Sequence, residues 1–371
     1  MKMYIYEKKI LMVMFFLIDA VGYLFALPLR IFRKEAVLVP KKILIIRLDH
    51  IGDVVEATVV LKPLRKKLPD AEIVFMAHSR SKDILEKNPH IDKVISFDAP
   101  WFDRKSHKAV RYLKALAQMI NTIRTGSFNA AVDLRGDVRH ITAMFFAGVK
   151  SRISYGITGG GFLLTHIIPY RKKSHETEKN IMLLGPFGIT AGSFGTELYY
   201  SEKDAEKAES LKKDAGISDK YAVMHAFPGH SSKKWNADKF RAVTRYLRSE
   251  KGLQVVIVGT ASEEAYIKGL KGPEEDDGVI DISGKTGLGM LGHILKKASI
   301  FVGLDSGPSH IAAAEGVPGV VLFSGVNDPG QWAPRSEKIK IIYPGEGKDL
   351  SGVSTEEVCG AIDEVLDKSQ K

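Results

Sequence analysis

The sequence has little cysteine and lacks the common signatures of nucleotide and metal binding. Cys359 is its one cysteine, which excludes an internal disulfide and a metal site built from several thiolates. No Asp-x-Asp pair occurs, so the simplest carboxylate arrangement for a metal-bound diphosphate is missing. No Gly-x-Gly-x-x-Gly follows a strand-like run, which disfavours a dinucleotide oxidoreductase, and Gly284-Lys285-Thr286 lacks the upstream glycine of a phosphate-binding P-loop. A bound diphosphate would therefore be neutralised by side-chain cations and helix N-termini.

Positive charge is what the sequence has in excess. With 54 Lys and Arg against 44 Asp and Glu, the formal net charge is +10, which suggests a polyanionic neighbour. Nucleic acid is the weakest candidate because the basic residues are dispersed and no aromatic stacking platform accompanies them. An anionic membrane surface and a phosphate-bearing substrate remain. At 371 residues with 44% hydrophobic content, the chain is too long for one ordinary core, so two folded domains are expected.

A long apolar run occupies residues 10–29. As a helix it would measure about 30 Å, enough to cross the hydrocarbon core of a membrane. Asp19 near its middle would cost roughly 3 kcal/mol on insertion scales, so a spanning anchor and a half-inserted segment are both open. A cleaved signal peptide is a third interpretation. We expect residues 1–40 to attach the protein to the cytoplasmic side of the inner membrane, because the stronger basic flank follows the run: Arg30, Arg33, Lys34, Lys41 and Lys42.

Short apolar runs alternate with longer amphipathic runs after Lys41. This alternation predicts two facing, doubly wound α/β domains at residues 41–195 and 196–353 and a C-terminal helix at 354–371, with a ligand cleft at the carboxyl ends of the strands. The predicted strands are 43–46, 72–77, 94–97, 130–134, 222–226, 255–259, 279–282, 300–302 and 320–323. The predicted helices are 54–67, 81–88, 107–124, and others that begin after Asn236, Ser262, Thr286 and Ser306.

The first loop with candidate chemistry is Arg47-Leu48-Asp49-His50-Ile51-Gly52-Asp53, between the first predicted strand and helix. It places two carboxylates and an arginine at the expected cleft, and its glycine permits close approach of a substrate. Asp53 is a candidate general base for an acceptor hydroxyl, kept ionised at neutral pH by an ordinary pKa and a nearby helix N-terminus. The alternative is that Asp53 only caps the helix, and the pattern does not decide between the two.

Three further loops carry groups that suit a nucleotide diphosphate. Residues 225–235 supply hydroxyls, backbone amides and two lysines, unless they form a solvated basic turn. In residues 259–263, Glu263 could accept hydrogen bonds from ribose hydroxyls or simply favour a helix N-terminus. Residues 305–310 would aim backbone N–H groups at an anion, with Asp305 on sugar hydroxyls and His310 facing the phosphate, although a structural histidine is also possible.

Together these segments resemble a known family, glycosyltransferase family 9, the ADP-heptose:lipopolysaccharide heptosyltransferases. The resemblance rests on Ile-Leu-Ile-Ile-Arg-Leu-Asp-His-Ile-Gly-Asp at 43–53, the Pro-Gly to Lys-x-Trp loop at 228–235, and Gly-Leu-Asp-Ser-Gly-Pro-Ser-His at 303–310 with its following Pro-Gly-Val-Val-Leu-Phe run. It extends from about Lys41 to the end of the chain and leaves the first forty residues unexplained. It implies a GT-B fold, inversion at the anomeric carbon, no metal and no cofactor.

The resemblance also implies roles for individual residues. Asp53 matches the catalytic base, Lys233 the lysine on the donor phosphate, with Lys234 as second choice, and Glu263 the carboxylate on the adenosine ribose. Asp305 and His310 match the donor sugar and phosphate site. The expected donor set is Lys233, Glu263, Asp305, Ser306, Gly307, His310, Gly229, Ser231 and Ser232. The expected acceptor set, which would bind a phosphorylated glycolipid, is Arg47, Asp49, Arg135 and Arg139.

Two alternatives stay open at this stage. A sugar-nucleotide epimerase of GT-B architecture would turn over the donor without an acceptor. A non-catalytic, membrane-associated protein would bind nucleotide or glycolipid and release no nucleoside diphosphate.

Overall fold

The computed structural model describes residues 13, 16–25, 37–102, 109–190, 192, 195–227, 231–261 and 279–369, with the side chain of Ser231 left out. The chain divides into two compact units, Met1–Gly195 and Thr196–Lys371. Each unit contains one six-stranded sheet, and every strand pairing in the described residues is parallel. How the predicted domains face each other stays a prediction.

The sheet of the first unit has the strand order β3-β2-β1-β4-β5-β6. Ile43 to Ile46 in β1 are fully buried, as expected for a central parallel strand covered on both faces. Its strands are β1 (Lys42–Arg47), β2 (Glu72–Ala77), β3 (Lys93–Ser96), β4 (Ala130–Asp133), β5 (Ser151–Ser154) and β6 (His166–Ile167). Its helices are α1 (residues 16–25), α2 (Ile51–Ala57), α3 (Leu61–Lys67), α4 (Ala109–Gly126), α5 (Val138–Phe146) and α6 (Glu176–Met182).

The sheet of the second unit has the order β12-β11-β10-β7-β8-β9. Counted from its own first strand, this is the same order as in the first unit, and it is the dinucleotide-fold arrangement. Its strands are β7 (Tyr221–His225), β8 (Gln254–Ile257), β9 (Val279–Asp281), β10 (Ile300–Leu304), β11 (Gly319–Leu322) and β12 (Ile339–Ile342). Its helices are α7 (Glu202–Asp214), α8 (Ala237–Ser249), α9 (Leu288–Lys296), α10 (Gly307–Ala314), α11 (Pro329–Trp332) and α12 (Thr355–Ser369).

The two switch points, where the strand order reverses, place the candidate loops. In the first unit β1 and β4 are neighbours, so the turns after Arg47 and after Asp133 leave the same edge of the sheet side by side. In the second unit β7 and β10 are neighbours, which brings the turns after His225 and Leu304 together. Ligands of such sheets bind at this edge. The fold therefore gathers residues that are far apart in sequence.

Most sequence predictions of secondary structure are confirmed. Every predicted strand is present within two residues of its predicted ends, and Asn236 caps α8 by accepting from the backbone N–H of Asp238 at 2.7 Å. The helix predicted at 81–88 is wrong, because these residues form a 3-10 turn at Ser79–Ser81 followed by hydrogen-bonded turns. Strands β5, β6 and β12 were not predicted. The helix expected after Ser262 lies outside the described residues.

The predicted N-terminal apolar segment is described only in part. Residues 13 and 16–25 are helical, whereas the rest of 10–29 lies outside the described residues. Among the described helices, none has the length and apolar character needed to span a bilayer.

Candidate functional site

A buried arginine organises the carboxyl edge of the first sheet. Arg47, the last residue of β1, is 2% exposed and donates from Nη2 to Asp53 Oδ1 at 2.9 Å and from Nη1 to the carbonyl of Leu134 at 2.8 Å. Asp49 and Glu176 each place a carboxylate oxygen 3.6 Å from the guanidinium. Three carboxylates therefore surround one buried cation, and the pKa of Arg47 lies well above its usual range.

Asp53 is held by this arginine and not by its own helix. The N-cap of α2 is His50, whose backbone N–H donates to Asp49 Oδ1 at 3.1 Å, and no side chain caps the helix. The position of Asp53 in the first helical turn therefore does not make it a cap. No capping hydrogen bond therefore supports the alternative considered from the sequence, in which Asp53 only caps the helix.

The protonation state of Asp53 differs from the sequence expectation. Burial, followed by the neighbouring charge of Asp49, raises the pKa of Asp53 to about 7, although Arg47 opposes the shift. The expectation of an ordinary pKa is therefore wrong, because the side chain is only 13% exposed and shares one arginine with another acid. The pKa of Asp49 is instead lowered by Arg47 and Arg135, despite its burial. Of the two acids, Asp53 is therefore the one whose pKa is raised and Asp49 the one whose pKa is lowered.

The other predicted acceptor residues lie beside this network. Arg135 Nη1 is 2.5 Å from Asp49 Oδ2, and its guanidinium carbon lies 4.6 Å from the ring centre of Phe102. Arg139 forms an ion pair with Asp137 and lies 4.9 Å from the ring centre of Trp101. The side chains of both arginines are more than a third exposed, so both can contact a ligand. Burial instead favours a positioning role for Arg47.

Several members of this site were not found from the sequence. Asp133 ends β4 and accepts from the N–H groups of Gly136 and Asp137 and from Ser154 Oγ, each within 2.9 Å, while His140 Nδ1 lies 2.8 Å from it. Glu176 bridges Arg47 and Lys179, with its second oxygen 2.7 Å from the lysine Nζ. Burial of these charged side chains depends on chain segments that meet only in the folded sheet, so no local pattern indicates them.

The second unit brings the predicted donor residues to the β7–β10 edge. Lys233 Nζ lies 2.5 Å from Asp305 Oδ2, which also accepts from Asn327 Nδ2 at 3.1 Å. Ser306 caps α10, Gly307 begins it, and His310 lies buried in its first turns. Ser231, Ser232 and Lys233 form a 3-10 turn. Gly229 and Glu263 lie outside the described residues.

His225 is a neighbour of this set that carries no charge. Its Nδ1 lies 3.1 Å from Ser306 Oγ, and burial lowers the pKa of His225 to about 4. At neutral pH the histidine is therefore neutral, and positive charge at this edge comes from Lys233 and from the partial charge of the α10 N-terminus. These are groups that stabilise a diphosphate. Across the described residues, no group of three or more His, Cys, Asp or Glu could hold a metal ion.

Comparison with known proteins gives one consistent result. The model of glycosyltransferase family 9 (heptosyltransferase) matches residues 116–358. Lipopolysaccharide heptosyltransferase 3 of Escherichia coli K12 is 28% identical over 340 residues, which cover 85% of this chain and 95% of that protein. A family 9 glycosyl transferase from Veillonella parvula has a similar structure, with a TM-score of 0.78 at 22% identity over 90% of this chain and 100% of that one. An E. coli heptosyltransferase solved with ADP gives a TM-score of 0.70 at 18% identity, covering 87% and 99%.

Proposed function

The chain belongs to glycosyltransferase family 9. We propose that it transfers heptose from ADP-heptose to a phosphorylated acceptor of the lipopolysaccharide core, with inversion and without a metal. It is a glycosyltransferase by family, so the proposal concerns donor, acceptor, stereochemistry and residues. The similarity to a lipopolysaccharide heptosyltransferase of E. coli supports the acceptor class. The structural relative that was solved with ADP supports the donor class.

The observation that carries the proposal is the Arg47–Asp53 pair at the edge of the first sheet. A carboxylate whose pKa is about 7 is matched to general-base chemistry near neutral pH. In the proposed step Asp53 takes the proton of the acceptor hydroxyl as that oxygen attacks the anomeric carbon. The bond from the anomeric carbon to the β-phosphate oxygen breaks, and its electron pair leaves with ADP. Arg47 fixes the orientation of Asp53.

Charge on the departing ADP is met in the second unit. Lys233 and the N-terminus of α10 are positive, and Asp305 holds the lysine in place before a donor binds. We propose that Lys233 turns from Asp305 to the diphosphate, while Asp305 contacts sugar hydroxyls. Arg135 and Arg139, which lie over aromatic rings, are proposed to bind acceptor phosphates. The reaction requires that an acceptor on the first unit reaches a donor on the second.

Replacement of Asp53 tests the proposal directly. We expect Asp53→Asn to lower kcat by roughly 100-fold or more, since general-base assistance is usually worth that much, and to leave ADP affinity unchanged. The assay measures ADP release and glycosylated product with ADP-heptose, with and without acceptor. Asp70→Asn, at an exposed turn after α3, is the matched control and should retain wild-type activity.

Two results of this assay would contradict the proposal. Turnover of Asp53→Asn within about threefold of wild type would remove Asp53 as the base. Conversion of the donor without acceptor, into an isomer and with no transferred product, would instead indicate the epimerase.

We also propose that the protein works on the cytoplasmic side of the inner membrane. The acceptor class supports this location, because a lipopolysaccharide core is built on a lipid. The apolar run at residues 10–29 and its basic flanks support it independently.

A further inference from the structure

Helix α1 is fixed to the first unit through one narrow stripe of residues. Asp19 is 2% exposed, and its Oδ1 accepts from the backbone N–H of Gly160 at 2.8 Å. Tyr23 packs edge-on against Phe162 with ring centres 6.4 Å apart, and Gly22 lies so close to that ring that an added Cβ would be 2.4 Å from it. Asp19, Gly22 and Tyr23 have helical i, i+3, i+4 spacing, so they form a single face. The carboxylate that interrupts the apolar run is a docking group.

The rest of α1 is apolar and exposed. Its large side chains are between 46% and 80% exposed, and none of them carries a polar group: Phe16, Leu17, Ile18, Val21, Leu24 and Phe25. A continuous surface of this kind marks a contact with another apolar phase. Aromatic and aliphatic side chains along one side of a docked helix are typical of a helix that lies in a membrane interface.

We propose that α1 is a membrane-contact helix that lies in the plane of an anionic bilayer, with its exposed apolar face in the acyl boundary and Asp19 on the protein. Charge supports a lipid surface as the occupant. Basic residues flank the apolar run on both sides in the sequence, and the whole chain carries a net charge of +10. Such flanks attract anionic headgroups. The flanking residues are Lys8, Lys9, Arg30, Arg33 and Lys34.

The Asp19 contact argues against a spanning orientation. Gly160 belongs to the turn before β6, in a folded α/β unit that cannot enter hydrocarbon. If α1 crossed the bilayer, the Asp19 carboxylate would leave Gly160 for the membrane interior, where a charge is costly, and a buried N–H would lose its partner. In the planar orientation both groups stay paired. The membrane contact of α1 does not depend on the proposed function. Only the presence of the acceptor in the same bilayer rests on it.

Depth measurements on the full chain test this orientation. In a Cys359→Ser background, Leu17→Cys and Leu24→Cys each carry a polarity-sensitive fluorophore. The two sites share a helical face and lie about 10 Å apart along the axis. With vesicles of phosphatidylcholine and phosphatidylglycerol, we expect both labels to shift to the blue and to be quenched alike by a nitroxide near the headgroup. A label on Val326→Cys, an exposed apolar site in the second unit, should not change.

Other outcomes would overturn the proposal. Different depths for the two labels, one of them quenched best by a nitroxide at the chain end, would indicate a spanning helix. A blue shift that needs no vesicles and grows with protein concentration would indicate a second copy of the chain as the occupant. No shift under any condition would remove the surface as a contact.

Introducing negative charge on the exposed face of α1 provides a second measurement without fluorophores. We expect the double variant Leu17→Glu, Leu24→Glu to lose at least tenfold in the fraction that floats with anionic vesicles, while its thermal stabilisation by ADP is unchanged. Val326→Glu is the control and should float as wild type. Because neither readout requires sugar transfer, a failure here is distinguishable from a failure of the proposed reaction. Wild-type flotation of the double variant would contradict the proposal.

Discussion

At the scale of single residues, the charge of Asp49 helps to raise the pKa of its neighbour Asp53. Asp49 and Asp53 are both close to Arg47, and only one of them has its pKa lowered. Arg135 contacts Asp49 directly, which keeps the negative charge there and leaves Asp53 as the group that titrates near pH 7. Removing charge from either neighbour should therefore change the titration of Asp53 in a direction fixed by the sign of that charge.

Opposite shifts of the pH–rate profile test this arrangement. Asp53 must lose its proton to act as a base, so kcat/KM should fall about tenfold per pH unit below about pH 7. Asp49→Asn removes a negative neighbour, lowers the pKa of Asp53 and moves the acidic limb to lower pH. Arg135→Met removes a positive neighbour and moves the limb to higher pH. The measurement is kcat/KM between pH 5 and 9. Limbs that stay in place, or move together, would contradict the assignment.

The positions of candidate residues could be predicted from the sequence where spacing is local, while their roles stay predictions. Arg47, Asp49 and Asp53 leave one strand together, and Asp305, Ser306 and Gly307 leave another, so the end of a predicted strand was enough to place each group. Glu176 and Asp133 could not be found in this way. Their roles depend on contacts between segments that only the sheet order brings together.

At the scale of elements, continuous burial explains which strands were predictable. The central strands are unbroken apolar runs, whereas β5 contains Ser and Arg, β6 has two residues, and β12 includes a lysine. The error at 81–88 has a specific origin. Ile84 and Leu85 are fully buried and resemble the apolar face of a helix, but these residues are joined mainly by turn hydrogen bonds, such as Asn88 N–H to the carbonyl of Leu85 at 3.0 Å.

Two glycines in the second unit should respond oppositely to alanine. Gly303 of β10 is paired with His225, and an added Cβ would lie 2.6 Å from the carbonyl oxygen of His225, so Gly303→Ala should destabilise by about 1–3 kcal/mol. Gly360 lies in α12 with nothing within 4 Å of an added Cβ, so Gly360→Ala should stabilise by about 0.5–1 kcal/mol. Urea unfolding measures both. Equal changes in the free energy of unfolding would show that the backbone between β7 and β10 has room for a side chain at position 303.

At the scale of the whole molecule, the two units have the same strand order but different chemistry at the switch point. In the first unit the carboxylate of Asp133 accepts hydrogen bonds from the backbone N–H groups that precede α5. In the second unit the N-cap residue of the corresponding helix α10 is the uncharged Ser306, and the acid before it, Asp305, forms an ion pair with Lys233. A sequence pattern that repeats in kind predicts two equivalent sheets, but it does not predict this difference.

Calorimetry with ADP on the intact protein tests whether the nucleotide binds at the switch point of the second unit and not at that of the first. We expect Lys233→Ala to weaken ADP binding by about tenfold or more, as for loss of a charge-assisted hydrogen bond, and Asp53→Asn to leave it unchanged. Lys234→Ala, at the exposed neighbouring position, is the matched control and should bind as wild type. Equal losses for the two lysine variants would show that general basicity, and not the placement of Lys233, holds the nucleotide.

The carboxylate of Asp133 has a consequence for how many nucleotides one chain can hold. At the first switch point this carboxylate already accepts the main-chain hydrogen bonds that a bound phosphate would otherwise accept. A second ADP would have to displace a negatively charged group that is covalently part of the chain. The binding isotherm should therefore saturate at one nucleotide per polypeptide, although the fold repeats its nucleotide-type sheet twice.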